Sequence, residues 1–268
     1  MDAFFYPVLL AGAVSGAAAA FLGVFIVGMR MPFIGTCIAH AAMAGTIFAS
    51  LLGVHPLVGA VGFSILTALS LAAIPPQKSR LDTNVGLAIV FSLMLGLTFL
   101  GMGLAESGRG DMLALLWGSI LFVRKGTVIT ITVLAALLAV FGLVFNKELK
   151  ALLFSRSIAA ATGIHERFVY AGFLMLCGLT LALNLEMIGG LMIFSLITNP
   201  AAAAYQLCKG HTAVVLMSVL LGMFSATAGF LLSLYWNLPT GACIVLVSTL
   251  IFAAAAVARR LMPQLSNQ

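Results

Sequence analysis

"IGTCIAHAAMAGTIF", residues 34–48, decides the fold class. Apart from His40 every residue in it is apolar or small, and the run extends to about 35–53 without a charge. That is within the roughly 17–25 residues a membrane-spanning helix needs. The question it raises is why an apolar run of this kind carries an imidazole near its middle. An isolated histidine there reads either as a packed core residue or as a ligand, and the run alone leaves both open.

The rest of the chain has the same character. Of 268 residues 63% are hydrophobic and 7% charged, with a mean hydropathy of +1.21. Soluble domains average roughly 45–50% and about 25%. Such a chain cannot cover a water-facing surface with polar groups, so its main solvent is lipid, where backbone groups must be satisfied within helices. Nine stretches approach spanning length, at about 6–29, 35–53, 56–74, 84–104, 126–145, 167–184, 186–207, 211–234 and 240–260. A tenth, "DMLALLWGSILFV" at 111–123, is too short to cross and reads as an interfacial helix with Trp117 and Phe122 at headgroup depth. The expected fold is all-α: one polytopic transmembrane domain over residues 1–268, with eight or nine spans, an interfacial helix and a short cytoplasmic helix.

The net charge of +6 is scattered over short connectors. That pattern fits the positive-inside rule and argues against a nucleic-acid partner. Lys147, Lys150, Arg156, Arg167, Lys209, Arg259 and Arg260 belong on the cytoplasmic side, which puts the N-terminus outside if all nine stretches cross; Arg124 and Lys125 are then exceptions. The chain opens on Asp2 with no basic region ahead of its first apolar run, which reads as an uncleaved first helix. Cys37, Cys177, Cys208 and Cys243 are too widely spaced for a Cys-x-x-Cys zinc or redox motif.

Enzymatic chemistry has little to work with. There is no G-x-x-x-x-G-K-[ST] for ATP, no G-x-S-x-G and no H-E-x-x-H, and only seven acids occur in the chain. What stands out is a few polar groups inside apolar runs. Thr36, Cys37 and His40 share one helical face at 100° per residue. Imidazole and thiolate suit zinc and other borderline metals, with the hydroxyl a weak third ligand. One helix cannot complete a four-coordinate site, so other helices or a second copy must contribute. Glu186 is expected at a helix end or outer turn, and Pro200, after Thr198 and Asn199, is expected to kink or break its helix on a translocation path. His55, His165 and His211 fall in connectors and read as solvated; Gly12 with Gly16, and Gly189 with Gly190, read as helix-packing faces.

Several of these stretches together resemble the membrane permeases of prokaryotic zinc, manganese and iron importers, the ABC-3 family. "RMPFIGTCIAHAAMAG" is similar to that family's R-R-M-x-x-x-G-D-x-[LI]-[SA]-H-A-x-x-x-G signature, and "LDTNVGLAI" to its D-T-x-x-G segment. "DMLALLWGSILFV", "MIGGLMIFSLITNPAAAAYQL" and "LPTGACIVLVS" resemble three further family motifs, in order and over essentially the whole chain. The resemblance implies a homodimer in the cell membrane, two cytoplasmic ATPase subunits that hydrolyse ATP, and an external metal-binding protein. The chain itself is then a transport subunit, not an enzyme, with no permanent cofactor. The resemblance makes His40 a transient metal ligand, assisted by Thr36 and Cys37; Glu186 is read from its own position as an outer acid. It also makes Ser155, Arg156, Ala160, Gly163 and Ile164, within about 151–164, the helix that docks on the ATPase. Two positions depart: Thr36 stands where the family carries an aspartate, and Glu186 where it more often has a basic or neutral residue. Loss of a carboxylate turns the expectation toward zinc, with manganese, iron or a chelate as alternatives, because manganese prefers oxygen ligands. Two rivals from other classes are a stand-alone ion-coupled transporter, for which membrane-embedded acids are nearly lacking, and a non-transporting scaffold.

Overall fold

A computed structural model describes residues 5–73, 83–105, 125–161, 165–188 and 193–261. The described residues form eleven helices: α1 (Phe5–Gly28), α2 (Phe33–Leu51), α3 (Pro56–Ala73), α4 (Thr83–Leu104), α5 (Lys125–Val144), α6 (Asn146–Phe154), α7 (Arg156–Ala161), α8 (Glu166–Ile188), α9 (Ile193–Leu207), α10 (His211–Trp236) and α11 (Thr240–Leu261). Eight of them, α1–α5, α8, α10 and α11, are long and apolar enough to cross a bilayer. The expected interfacial helix at 111–123 lies outside the described residues.

The boundary between the sixth and seventh expected stretches, 167–184 and 186–207, needs correction. The break predicted near residue 185 is absent, and α8 runs on through Glu186 to Ile188. Asn184, the last residue of the expected 167–184 stretch, is satisfied inside the bundle. Its Nδ2 donates to the Thr180 carbonyl at 2.7 Å, and the Ser15 hydroxyl of α1 donates to its Oδ1. The asparagine is thus accommodated within the helix, which continues past it. The described residues resume in α9, Ile193–Leu207.

Cross-helix contacts fix the direction of each element. Ser15 meets Asn184 and Phe25 meets Phe173 at 5.6 Å between ring centroids, so α1 and α8 are antiparallel. Gly16 lies on Gly222 and Phe25 on His211, so α10 is also antiparallel to α1. Gly23 meets Ile197 and Gly28 meets Tyr205, so the short α9 runs parallel to α1 and covers only the half of it that ends at Gly28. Arg30 and the ends bearing Lys209 and Arg259 therefore cluster at one end of the bundle: Tyr205 donates to the Val24 carbonyl, and Arg259 donates to Gln206 at 2.6 Å. This basic end is the cytoplasmic one by the positive-inside rule.

Burial separates centre from periphery. Of α2's membrane-length stretch 78% is buried, against 17% for α4 and for α5. Close backbone approach makes this possible. α2 and α3 meet at Gly45 and Gly59, where neither residue has space for a Cβ, and α1 meets α10 in the same way at Gly16 and Gly222. In lipid, where water supplies no hydrophobic drive between helices, such contacts hold a bundle by dispersion. The helix carrying His40 is thus the one most enclosed by its neighbours.

Candidate functional site

His40 sits in the middle of α2 and is 3% exposed. Its Nδ1 lies 3.0 Å from the Thr36 carbonyl oxygen one turn earlier. A carbonyl only accepts, so in the neutral ring Nδ1 carries the proton and Nε2 keeps the lone pair. That nitrogen is buried and has no hydrogen-bond partner. Fixing one ring nitrogen by a carbonyl is how proteins orient an imidazole whose other nitrogen binds a metal. The ring is braced edge-on by Phe91 of α4, with centroids 4.8 Å apart. Phe91 carries no sequence signal of its own; only the packing of α4 along α2 reveals it.

Thr36 also presents an unsatisfied atom, its buried Oγ1. A buried polar atom without a partner costs about 1–3 kcal/mol, and α2 holds two such atoms one turn apart. Cys37, the third member of the expected face, is used differently. Its thiol donates to the Leu87 carbonyl of α4 at 2.9 Å, tying the two helices together. Along α2, Phe33, Thr36 and His40 follow one stripe at 100° per residue. Phe33 borders a cavity of about 520 Å³ at the basic end, also lined by Val27, Arg30, Pro32, Asn84, Thr198 and Ala202. Among the described residues no three His, Cys, Asp or Glu side chains gather to hold a metal.

The other expected residues fall in several places. Glu186 lies in the last turn of α8, at the helix end that was one of its two expected places. Pro200 is buried within α9 and does not end it, since the helix continues to Leu207. Thr198 donates to the Phe194 carbonyl. Asn199 turns to α11, its Nδ2 donating to Ser248 Oγ at 3.1 Å and Thr249 Oγ1 at 3.0 Å. His55 and His165 are exposed as expected, whereas His211 opens α10, half-buried against Phe25.

The cytoplasmic connector folds as two short helices. Ser155 joins them in extended geometry, with its N–H donating to Ala151 and its carbonyl accepting from Ala159. Leu149, Leu152 and Ala159 are buried in the main core, Ala160 is exposed, and Phe154 stands 87% exposed at the junction. Arg156 pairs with Glu166 at 3.3 Å. Gly163 and Ile164 lie outside the described residues. Sequence reading missed Phe154, Glu166 and Tyr170. Glu166 and Phe154 read as ordinary members of a solvated loop, and only the fold shows one buried and the other bare.

Comparison with known proteins covers the whole bundle. The manganese transport system membrane protein MntC of Listeria innocua is 29% identical over 252 residues, 94% of this chain and 89% of that protein. The high-affinity zinc uptake system membrane protein ZnuB of Haemophilus influenzae is 26% identical over 261 residues, 95% and 97% of the two chains. The solved structure of PsaBC from Streptococcus pneumoniae in complex with Fab superposes with a TM-score of 0.84 at 24% identity, covering all of this chain and 96% of that one, which shows the fold. The ABC 3 transport family model matches residues 1–259, and with eight membrane-length helices around a central α2 the chain belongs to that family as a multi-pass membrane protein.

Proposed function

We propose that this chain is the permease subunit of an ATP-driven importer of a divalent transition metal, with ATP hydrolysed on a separate cytoplasmic subunit. The observation that carries the reading is His40: a buried imidazole whose backbone bond leaves Nε2 unprotonated and unpartnered at the heart of the most enclosed helix. Relatives named for manganese and zinc transport support the class of cargo. Nε2 is the transient ligand and Thr36 Oγ1 a weak second, while Cys37 positions α4. One nitrogen and one hydroxyl are a weak site, which suits a path that must release as well as bind. Further ligands come from a second copy of the chain in a homodimer or from the cargo's own water. Zinc is the favoured metal, because an imidazole without a neighbouring carboxylate suits a borderline ion better than manganese. An external metal-binding protein delivers the ion at the end opposite the basic cluster, and Glu186, in the last turn of α8 there, is assigned as the outer acid near the entry. At the cytoplasmic end Ser155, Arg156 and Ala160 form the docking surface for the ATPase, with Gly163 and Ile164 extending the same segment.

Reconstitution with the ATPase and binding protein tests this. His40→Ala is expected to leave membrane insertion and complex assembly intact while metal uptake falls at least tenfold. Undiminished uptake by that variant would reduce His40 to a packing residue, and uptake that persists without any ATPase would sink the importer reading.

A further inference from the structure

A six-residue helix cannot hold itself together in isolation, so the position of α7 depends on what it is fastened to. Its first residue supplies the fastening. The Arg156 guanidinium reaches Glu166 Oε2 through Nη2 at 3.3 Å and through Nε at 3.4 Å. Its central carbon also lies 3.9 Å from the centroid of the Tyr170 ring. Glu166 and Tyr170 are four residues apart on the first turns of α8 and share one face. Arg156 therefore caps both at once.

The pair is sheltered from solvent, with side-chain exposures of 13% for Arg156 and 5% for Glu166. Pairs buried this far gain little net stability over apolar replacements, and a fixed registry is their best-attested use. Glu166 also sits at the N-terminus of α8, where the unpaired N–H groups favour its negative charge. α8 then runs the depth of the bundle. It packs Phe173 on Phe25 and Gly178 on Ser64, and it bonds Ser15 through Asn184.

We propose that Arg156, Glu166 and Tyr170 form a clamp that makes α7 and α8 one lever, so that a push on α7 displaces α8 at its far end. Glu166 and Tyr170 are positioning residues that act through Arg156 and touch no cargo. The inference rests on the importer reading above, which supplies the ATPase that pushes.

The test uses the full complex of permease, ATPase and binding protein in proteoliposomes, with ATP hydrolysis and zinc uptake followed together. Glu166→Gln keeps the size of the side chain and removes the counter-charge. It is expected to assemble, to hydrolyse ATP within twofold of the unaltered complex, and to import at least tenfold less zinc per ATP. Tyr170→Phe keeps the ring beneath the guanidinium and is expected to transport normally, while Tyr170→Leu loses severalfold in zinc per ATP. If Glu166→Gln does not assemble, the Tyr170 pair decides on the same ratio. Equal zinc per ATP in all assembled variants overturns the clamp, as does a parallel loss of hydrolysis and uptake, which would mean failed docking. Uptake without ATPase in the unaltered protein would instead overturn the importer reading, and it would show before any variant is made.

Discussion

Replacing Gly45 by alanine probes the contact that seats the His40 helix. A Cβ at Gly45 would lie 2.6 Å from the carbonyl carbon of Gly59 and 2.7 Å from Phe63 Cβ. Carbon atoms in contact stay about 3.5–4.0 Å apart, and a backbone carbonyl cannot rotate away. α2 and α3 must therefore separate by about 1 Å along this seam. Such overpacking typically costs about 1–3 kcal/mol, offset by the roughly 1 kcal/mol that alanine gains over glycine within a helix. A net loss of up to about 2 kcal/mol follows, up to about a 30-fold change in the folded-to-unfolded ratio. Gly62 on the same α3 has nothing within 4 Å of its Cβ position and serves as the control; Gly62→Ala should be neutral or gain up to about 1 kcal/mol. Titration of the purified chain with denaturing detergent in mixed micelles, followed by helical circular dichroism, measures both. Gly59→Ala should resemble Gly45→Ala, and the double variant should cost less than the sum, because one separation relieves both clashes. Equal stability of Gly45→Ala and Gly62→Ala would refute the close approach and the seating of α2 that depends on it.

Three further outcomes follow from the site and its surroundings. Cys37→Ser keeps a donor for the Leu87 carbonyl, so uptake and the preference for zinc over manganese should not change; altered selectivity in competition assays would make the thiol a ligand. Asn199→Leu removes two hydrogen bonds between α9 and α11; at the roughly 0.6 kcal/mol typical of such bonds in membranes it should cost about 1 kcal/mol in the same detergent titration, and no loss would mean the amide is idle. Phe154→Ala removes an 87% exposed ring; the permease's own stability should shift by less than about 0.5 kcal/mol. Burying a Phe contributes about 1.5–3 kcal/mol, so ATPase retained on co-purification should fall tenfold or more, and undiminished retention would place docking elsewhere.

Composition and run length made the membrane class and most of the spans legible, because lipid imposes its length and polarity on each helix separately. They misplaced a break near residue 185 for a physical reason. Asn184 looks like the end of a span until Ser15, 169 residues away, is seen to satisfy it. His40 was legible as a candidate because an imidazole is conspicuous in an apolar run. Its tautomer was not, since that depends on one backbone distance. Cys37 was the opposite case: its chemistry suggested a ligand, and the register of α4 gave it a carbonyl. The members of the clamp were hidden most completely, because a glutamate and an arginine ten residues apart in a charged connector look like two solvated charges.

The hydrogen bond from His40 goes to the carbonyl of Thr36, not to its side chain. Ring geometry and local charge are therefore controlled by different atoms of the same residue. The helix supplies the carbonyl whatever residue occupies position 36, so the imidazole keeps its orientation while the side chain beside it is free to vary. On the proposed function, exchanging this threonine for a carboxylate would change the field around the ion without disturbing the nitrogen that meets it. Position 36 thereby acts as an adjustable setting on a fixed mount, and a lineage could move from one cation to another by a single substitution that leaves the fold untouched.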